Sequence, residues 1–150
     1  MYTSESFFPI WREILFSDPK EVTIRLLTPL RIKIAGHLSD DFTFFEFFRS
    51  LLNRLYLLTY FHCGNRFERE HRELLEMSKD IEILDKHLHW HDWIRYSNRQ
   101  KTKMKMGGIK GEFRIRGEIK PFLPFLKIGE YIHVGKGTTM GLGRYIISET

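Results

Sequence analysis

The 150-residue sequence contains a single cysteine, Cys63. One thiol excludes an internal disulfide and any multi-thiolate metal site, and it fits a reducing, cytoplasmic compartment. Long apolar runs are also missing. No stretch approaches the roughly 20 residues needed to cross a bilayer, which speaks against a membrane partner. The N-terminus lacks the basic segment and apolar core of a secretory signal. Acidic side chains are scarce in one region. Residues 92–120 hold nine cations (Arg95, Arg99, Lys101, Lys103, Lys105, Lys110, Arg114, Arg116, Lys120) against three anions (Asp92, Glu112, Glu118). That segment carries +6 of a total of +5, so the rest of the chain sums to −1. Charge gathered in this way points to a polyanionic partner.

The length suits one domain with a real core, to which 13 phenylalanines contribute. Residues 1–20 show no period and are broken by Pro9 and Pro19. They read as an N-terminal extension to a domain spanning 21–150. Within it, Val22, Ile24, Leu26, Ile32 and Ile34 alternate as a strand over 21–34, bent at Thr28-Pro29. A loop over 35–41 carries Gly36 and His37. Thr43 and Glu46 form a possible capping box for a helix that Gly64 ends. A charged surface helix around 68–77 is one reading of the next stretch, and a mobile excursion is the other. Two extended runs, 90–106 and 109–119, flank Gly107-Gly108, a hairpin-turn signal. Pro121 opens a short helix, and 144–147 closes the chain as a strand. The order β-α-β-β-α-β predicts an α+β, ferredoxin-like (RRM-like) unit with a four-stranded antiparallel sheet.

A turn at Gly107-Gly108 sets a register. Lys105 then faces Lys110, Lys103 faces Glu112, Lys101 faces Arg114 and Arg99 faces Arg116. Like charges placed opposite each other destabilise a sheet by a few tenths of a kcal/mol, roughly. Phosphates would relieve that repulsion, so the hairpin reads as a basic platform. Solvated side chains that splay apart are the bland alternative.

The end of the chain, Ile132-His133-Val134-Gly135-Lys136-Gly137-Thr138-Thr139-Met140-Gly141-Leu142-Gly143-Arg144, is rich in glycine with two cations. Glycine lets backbone amides approach a ligand, and Lys136 and Arg144 suit phosphate. It is no P-loop: Gly follows Lys136 where Ser or Thr is required, and the order is helix–loop–strand. It also misses the dinucleotide fingerprint by one position, so no nucleotide cofactor is implied. His87, His89 and His91 alternate but lack a carboxylate pattern, and no metal site is assigned.

Four blocks together resemble the C-terminal half of the Cas-six family, the CRISPR repeat-processing endoribonucleases of the RAMP superfamily. They are Thr28-Pro29-Leu30-Arg31, the helix from Asp41 to Gly64, Arg95-Tyr96-Ser97-Asn98-Arg99-Gln100 leading to Gly107-Gly108, and His133-Val134-Gly135-Lys136-Gly137 through Gly141-x-Gly143. The resemblance implies metal-independent cleavage of CRISPR repeat RNA, with no cofactor. A 2′-hydroxyl attacks the adjacent phosphate and leaves a 2′,3′-cyclic phosphate. It also implies RNA contacts from the glycine-rich loop, through Gly135, Lys136, Gly137, Gly141 and Gly143. The family's histidine usually lies in an N-terminal unit. His37 occupies the equivalent loop of this unit by topological analogy and is the candidate proton-transfer residue. A second copy, or a separate chain carrying the N-terminal half, is the implied protein partner. Two further readings remain: a non-catalytic RAMP subunit of a CRISPR ribonucleoprotein, and a small-anion-binding regulatory module.

Overall fold

A computed structural model of the chain describes residues 19–63, 67–92, 94–97, 102–105 and 107–149. The strands are β1 (Glu21–Leu30), β2 (Ile32–Ile34), β3 (His37–Ser39), β4 (Glu82–His91), β5 (Ile94–Ser97), β6 (Thr102–Lys105), β7 (Gly108–Arg116) and β8 (Tyr145–Glu149). The α-helices are α1 (Phe44–Cys63), α2 (Phe67–Ser78) and α3 (Leu123–Ile132). The main sheet has four strands in the order β4-β7-β1-β8, with every pairing antiparallel. With α1 and α3 as the crossovers, this is the ferredoxin-like arrangement that the element order predicts.

Local chemistry explains the elements. The capping box forms: the Glu46 amide donates to Thr43 Oγ1 and the Thr43 amide to Glu46 Oε1, both at 3.4 Å. Behind it Phe44, Phe47, Phe48, Leu51, Leu52 and Leu55 recur at helical spacing and are buried. They meet Val22, Ile24 and Leu26 of β1, and Phe113 and Ile115 of β7. Aromatic edges lock this layer. Phe48 meets Phe122 edge-on at 4.9 Å, and Phe47 meets Tyr145 at 5.4 Å. Gly129 lets α3 lie close over β8. A Cβ there would overlap the Tyr145 hydroxyl, which donates to the Leu126 carbonyl at 2.6 Å. Full burial raises the Tyr145 phenol well above its usual pKa.

Three expectations change. The charged stretch before residue 87 is partly strand, because β4 begins at Glu82. The loop over 35–41 is a two-stranded ribbon, β2–β3, reversed at Ala35-Gly36, both with positive φ. Most consequential, Gly107-Gly108 is not a hairpin turn. β7 pairs with β4, His91 opposite Gly108, and the ladder resumes in the same register as Ile94 opposite Lys105 in β5–β6. Ser97 pairs with Thr102, and residues 98–101 between them lie outside the described residues. The two glycines serve packing instead. A Cβ on Gly107 would stand 2.5 Å from the Trp90 ring nitrogen, and one on Gly108 2.8 Å from the Leu30 carbonyl oxygen.

Candidate nucleic-acid interface

The register correction rearranges the basic hairpin. Arg114 and Arg116 face β4 and β1, whose carboxylates meet them. Arg116 pairs with Glu82 at 2.8 Å; Arg114 pairs with Asp85 and approaches Glu21 at 3.6 Å. Asp85 reaches Arg114 from a bulge between Leu84 and His87, with φ of 47°. Glu112 sits between His87 and Arg25, and Lys110 opposite His89. Alternation puts all these residues on the sheet face away from the helices. There Arg114 and Arg116 pair with Glu21, Asp85 and Glu82, Arg25 stands opposite Glu112, and Lys110 stands opposite His89. None of the strand residues on that face is Phe, Tyr or Trp, so it lacks the base-stacking rings of an RRM platform. Of the other hairpin cations, Arg99 and Lys101 lie outside the described residues. For Arg95, Lys103 and Lys105 only the backbone is described, in β5 and β6.

A different basic site lies on the helix side. A cleft of about 420 Å³ opens between the β1–β2 junction, α1 and the glycine-rich loop. Its lining is Arg31, Lys33, Ser50, Asn53, Arg54, Leu57, Gly135, Lys136, Gly137, Thr138 and Thr139. Four of these are cations and none is acidic. Ser50, Asn53, Arg54 and Leu57 recur at helical spacing and form the α1 wall.

The loop wall is built by backbone hydrogen bonds to β1 and β2. The Lys136 amide donates to the Arg31 carbonyl at 2.8 Å, and the Gly143 amide to the Pro29 carbonyl at 3.0 Å. The Thr28 hydroxyl donates to the Gly141 carbonyl at 2.7 Å and accepts from the Arg144 amide at 2.9 Å. Gly143 has φ of 75°, and a Cβ there would overlap the Val134 carbonyl oxygen; one on Gly135 would overlap that of Arg31. These two glycines let the loop pack on the protein itself. Gly137 adopts φ of 77° with Leu142 beside it, and Gly141, at φ of 85°, faces open space. Among the described residues, the amides of Gly135, Gly137, Thr138 and Thr139 have no hydrogen-bond acceptor. All four residues line the cleft.

His133 joins α3 to this loop at φ of 67°, and its amide closes the helix on the Gly129 carbonyl at 2.9 Å. Burial lowers its imidazole pKa; a hydrogen bond with the Leu142 backbone opposes this, and the charges of Arg144 and Arg54 reinforce it. His37, the expected proton-transfer residue, is exposed in β3 opposite Ile34. Cross-strand partners share a face, so His37 lies across the ribbon from Lys33, which lines the cleft. Arg144 is exposed and outside the cleft lining. The sequence reading found Lys136 and the loop but missed Arg31, Lys33 and Arg54, which the charge count of 92–120 does not include. The absence of any acidic residue from 42 to 45 and 47 to 63, a stretch holding Arg49 and Arg54, is the signal that was available for the α1 wall.

Among the described residues, no group of three or more His, Cys, Asp or Glu side chains is arranged to hold a metal ion. No helix of the described residues is long and apolar enough to cross a membrane.

Solved structures share this fold. Thermus thermophilus Cas6 superposes with a TM-score of 0.67 at 18% identity, covering 92% of this chain and 57% of that one. A Cas6 product complex gives 0.66 at 18% identity over 97% of this chain and 59% of that one. A partial Cas6–RT–Cas1–Cas2 complex gives 0.63 at 19%, over 94% of this chain and 25% of that one. This chain thus spans little more than half the length of the first of these. No curated protein matches it. The profile of the CRISPR-associated endoribonuclease Cas6 family matches residues 24–145. With its sequence carrying that profile along most of its length, the chain belongs to the Cas6 family.

Proposed function

We propose that this chain holds CRISPR repeat RNA in the cleft between α1, β2 and the glycine-rich loop, as the RNA-binding unit of a repeat-processing endoribonuclease. One observation carries the reading: one cleft without a carboxylate is lined by four cations and by four residues whose backbone amides have no acceptor among the described residues. Amides and cations gathered at one cleft suit phosphate oxygens. Spread over three elements, they fit successive phosphates of a strand better than one small anion. The glycine-loop residues carry the RNA contacts, Lys136 by charge and Gly137 by its amide. The hairpin cations Arg95, Arg99, Lys101, Lys103 and Lys105 extend the contact surface.

Cleavage in this reading needs no metal. A base takes the 2′-hydroxyl proton, the oxygen attacks the adjacent phosphorus, and an acid protonates the departing 5′-oxygen. Cations and amides stabilise the charge that develops on the phosphate. His37 is the chain's candidate for proton transfer. Its register, across the ribbon from the cleft, favours a second version: a binding unit whose proton-transfer groups come from a second copy or another chain.

Incubating the pure protein with repeat RNA in EDTA and mapping the ends separates these versions. Cleavage leaving a cyclic phosphate, lost in His37→Ala, makes His37 part of the mechanism. Tight, salt-dependent binding without cleavage makes the chain a binding unit. Binding of inorganic phosphate with no affinity for RNA overturns the proposal in favour of a small-anion module.

A further inference from the structure

Arg31 touches both the cleft and the base of the basic ribbon. Its backbone carbonyl accepts the Lys136 amide at 2.8 Å and so seats the glycine-rich loop. Arg31 is among the residues that line the cleft. Its Nη1 also donates to the Gly107 carbonyl at 2.9 Å, 76 residues away in sequence. Gly107 is the residue at which the second strand of the β5–β6 ribbon returns to the main sheet. The packing at that point is tight, since neither Gly107 nor Gly108 has room for a Cβ against Trp90 and Leu30.

We infer that Arg31 is a positioning residue that ties the root of the β5–β6 ribbon to the RNA cleft, so that the two act as one site. This rests on the proposed function, in which the cleft holds RNA phosphates. A guanidinium is suited to the task. Its planar fork presents five donors, so one nitrogen holds the Gly107 carbonyl and others remain to donate to a phosphate oxygen. A phosphate entering the cleft then stiffens the side chain that anchors the ribbon. By linkage, contacts made by the ribbon favour phosphate in the cleft to the same degree. Lysine has the charge but not the fork, so it cannot serve both partners in fixed geometry.

The test is a double-mutant cycle on RNA affinity, with hydrogen exchange as an independent readout. The ribbon variant replaces Arg95, Lys103 and Lys105 with Ser and is made in wild type and in Arg31→Lys. In wild type it should weaken binding about tenfold at moderate salt. In Arg31→Lys the same change should cost less than about twofold, because an unanchored ribbon contributes little. Equal losses in the two backgrounds would overturn the inference. Without RNA, amides of 94–97 and 102–105 should exchange faster in Arg31→Lys, with those of β1 unchanged. In the unmodified protein, an oligonucleotide too short to leave the cleft should slow exchange at the same ribbon amides. Ribbon exchange insensitive to both changes would overturn the anchoring. If wild type binds no RNA, the proposed function fails, and the exchange of Arg31→Lys still decides whether the anchor exists.

Discussion

The open face of the sheet and the cleft beside α1 are both rich in arginine and lysine, yet they differ in what surrounds the cations. On the sheet face acids of β1 and β4 meet bases of β7: Glu82 meets Arg116, and Asp85 and Glu21 meet Arg114. In the cleft Arg31, Lys33, Arg54 and Lys136 come from three elements that contribute no acid, beside amides without acceptors. Linear charge density therefore misleads. The run that holds the net positive charge is partly neutralised by residues distant in sequence. The face without a conspicuous run has no acid paired with its cations among the described residues.

The largest expected effect concerns the cleft's glycine wall. Gly143→Ala forces a Cβ onto the Val134 carbonyl at a positive φ, whereas Gly141→Ala pays only for φ because open space surrounds it. Left-handed backbone costs an ordinary residue about 1–2 kcal/mol, and the overlap should bring Gly143→Ala to roughly 3 kcal/mol or more. Thermal melts of the two variants check this. Equal losses would mean that the wall is not packed as described.

Next in size is the cleft's charge. Lys33→Ser with Lys136→Ser removes two exposed cations that make no ion pair among the described residues. Each charge-assisted phosphate contact is worth about 1–2 kcal/mol, so RNA affinity should fall roughly 30-fold or more. The salt slope on single-stranded RNA should fall by about 1.4. The melting temperature should hold. An unchanged affinity would move RNA off the cleft.

How much of this was legible in the sequence varies with the range of the interaction. The Thr43–Glu46 cap and the alternation in β1 are local patterns, and they appear where they were read. The turn was misread because Gly107-Gly108 has the composition of a hairpin tip. The reason for those glycines is Trp90 and the Leu30 carbonyl, neither adjacent in sequence. The start of β4 was hidden because charged residues and histidines hold most of its exposed positions. The cleft was half legible: Lys136 and the loop glycines announced themselves, but only the third dimension brings Arg31, Lys33 and Arg54 to them. His37 was placed correctly between β1 and α1, yet its face depends on a ribbon register that the sequence did not show.

A smaller effect sharpens the contrast from the other side. With Arg114 facing Lys101, as in the register read from the sequence, Arg114→Ser would relieve repulsion. With Asp85 and Glu21 as partners it should instead destabilise, by about 1 kcal/mol for partly exposed pairs. RNA affinity of Arg114→Ser combined with Arg116→Ser should change less than about threefold, since their charges are already met. A tenfold loss of RNA binding with an unchanged melt would show that RNA displaces these pairs and that the two faces are less different than their partners imply.

The smallest effect is in the pH dependence of the loop's hinge. His133 is held neutral by burial, so its folded pKa lies below the usual 6.5. Between that lowered value and 6.5 the unfolded chain binds more protons than the folded one. The stabilisation is therefore complete above 6.5 and is lost as pH falls through the folded value. Wild type should show a melting temperature that declines on acidification below 6.5, and His133→Gly should show a shallower decline. The glycine also relieves a positive φ of 67°, so at neutral pH the variant should lose little. Subtracting the two pH profiles isolates the imidazole, since other titrating groups are common to both. A decline of equal slope in both proteins would remove His133 from the acid response.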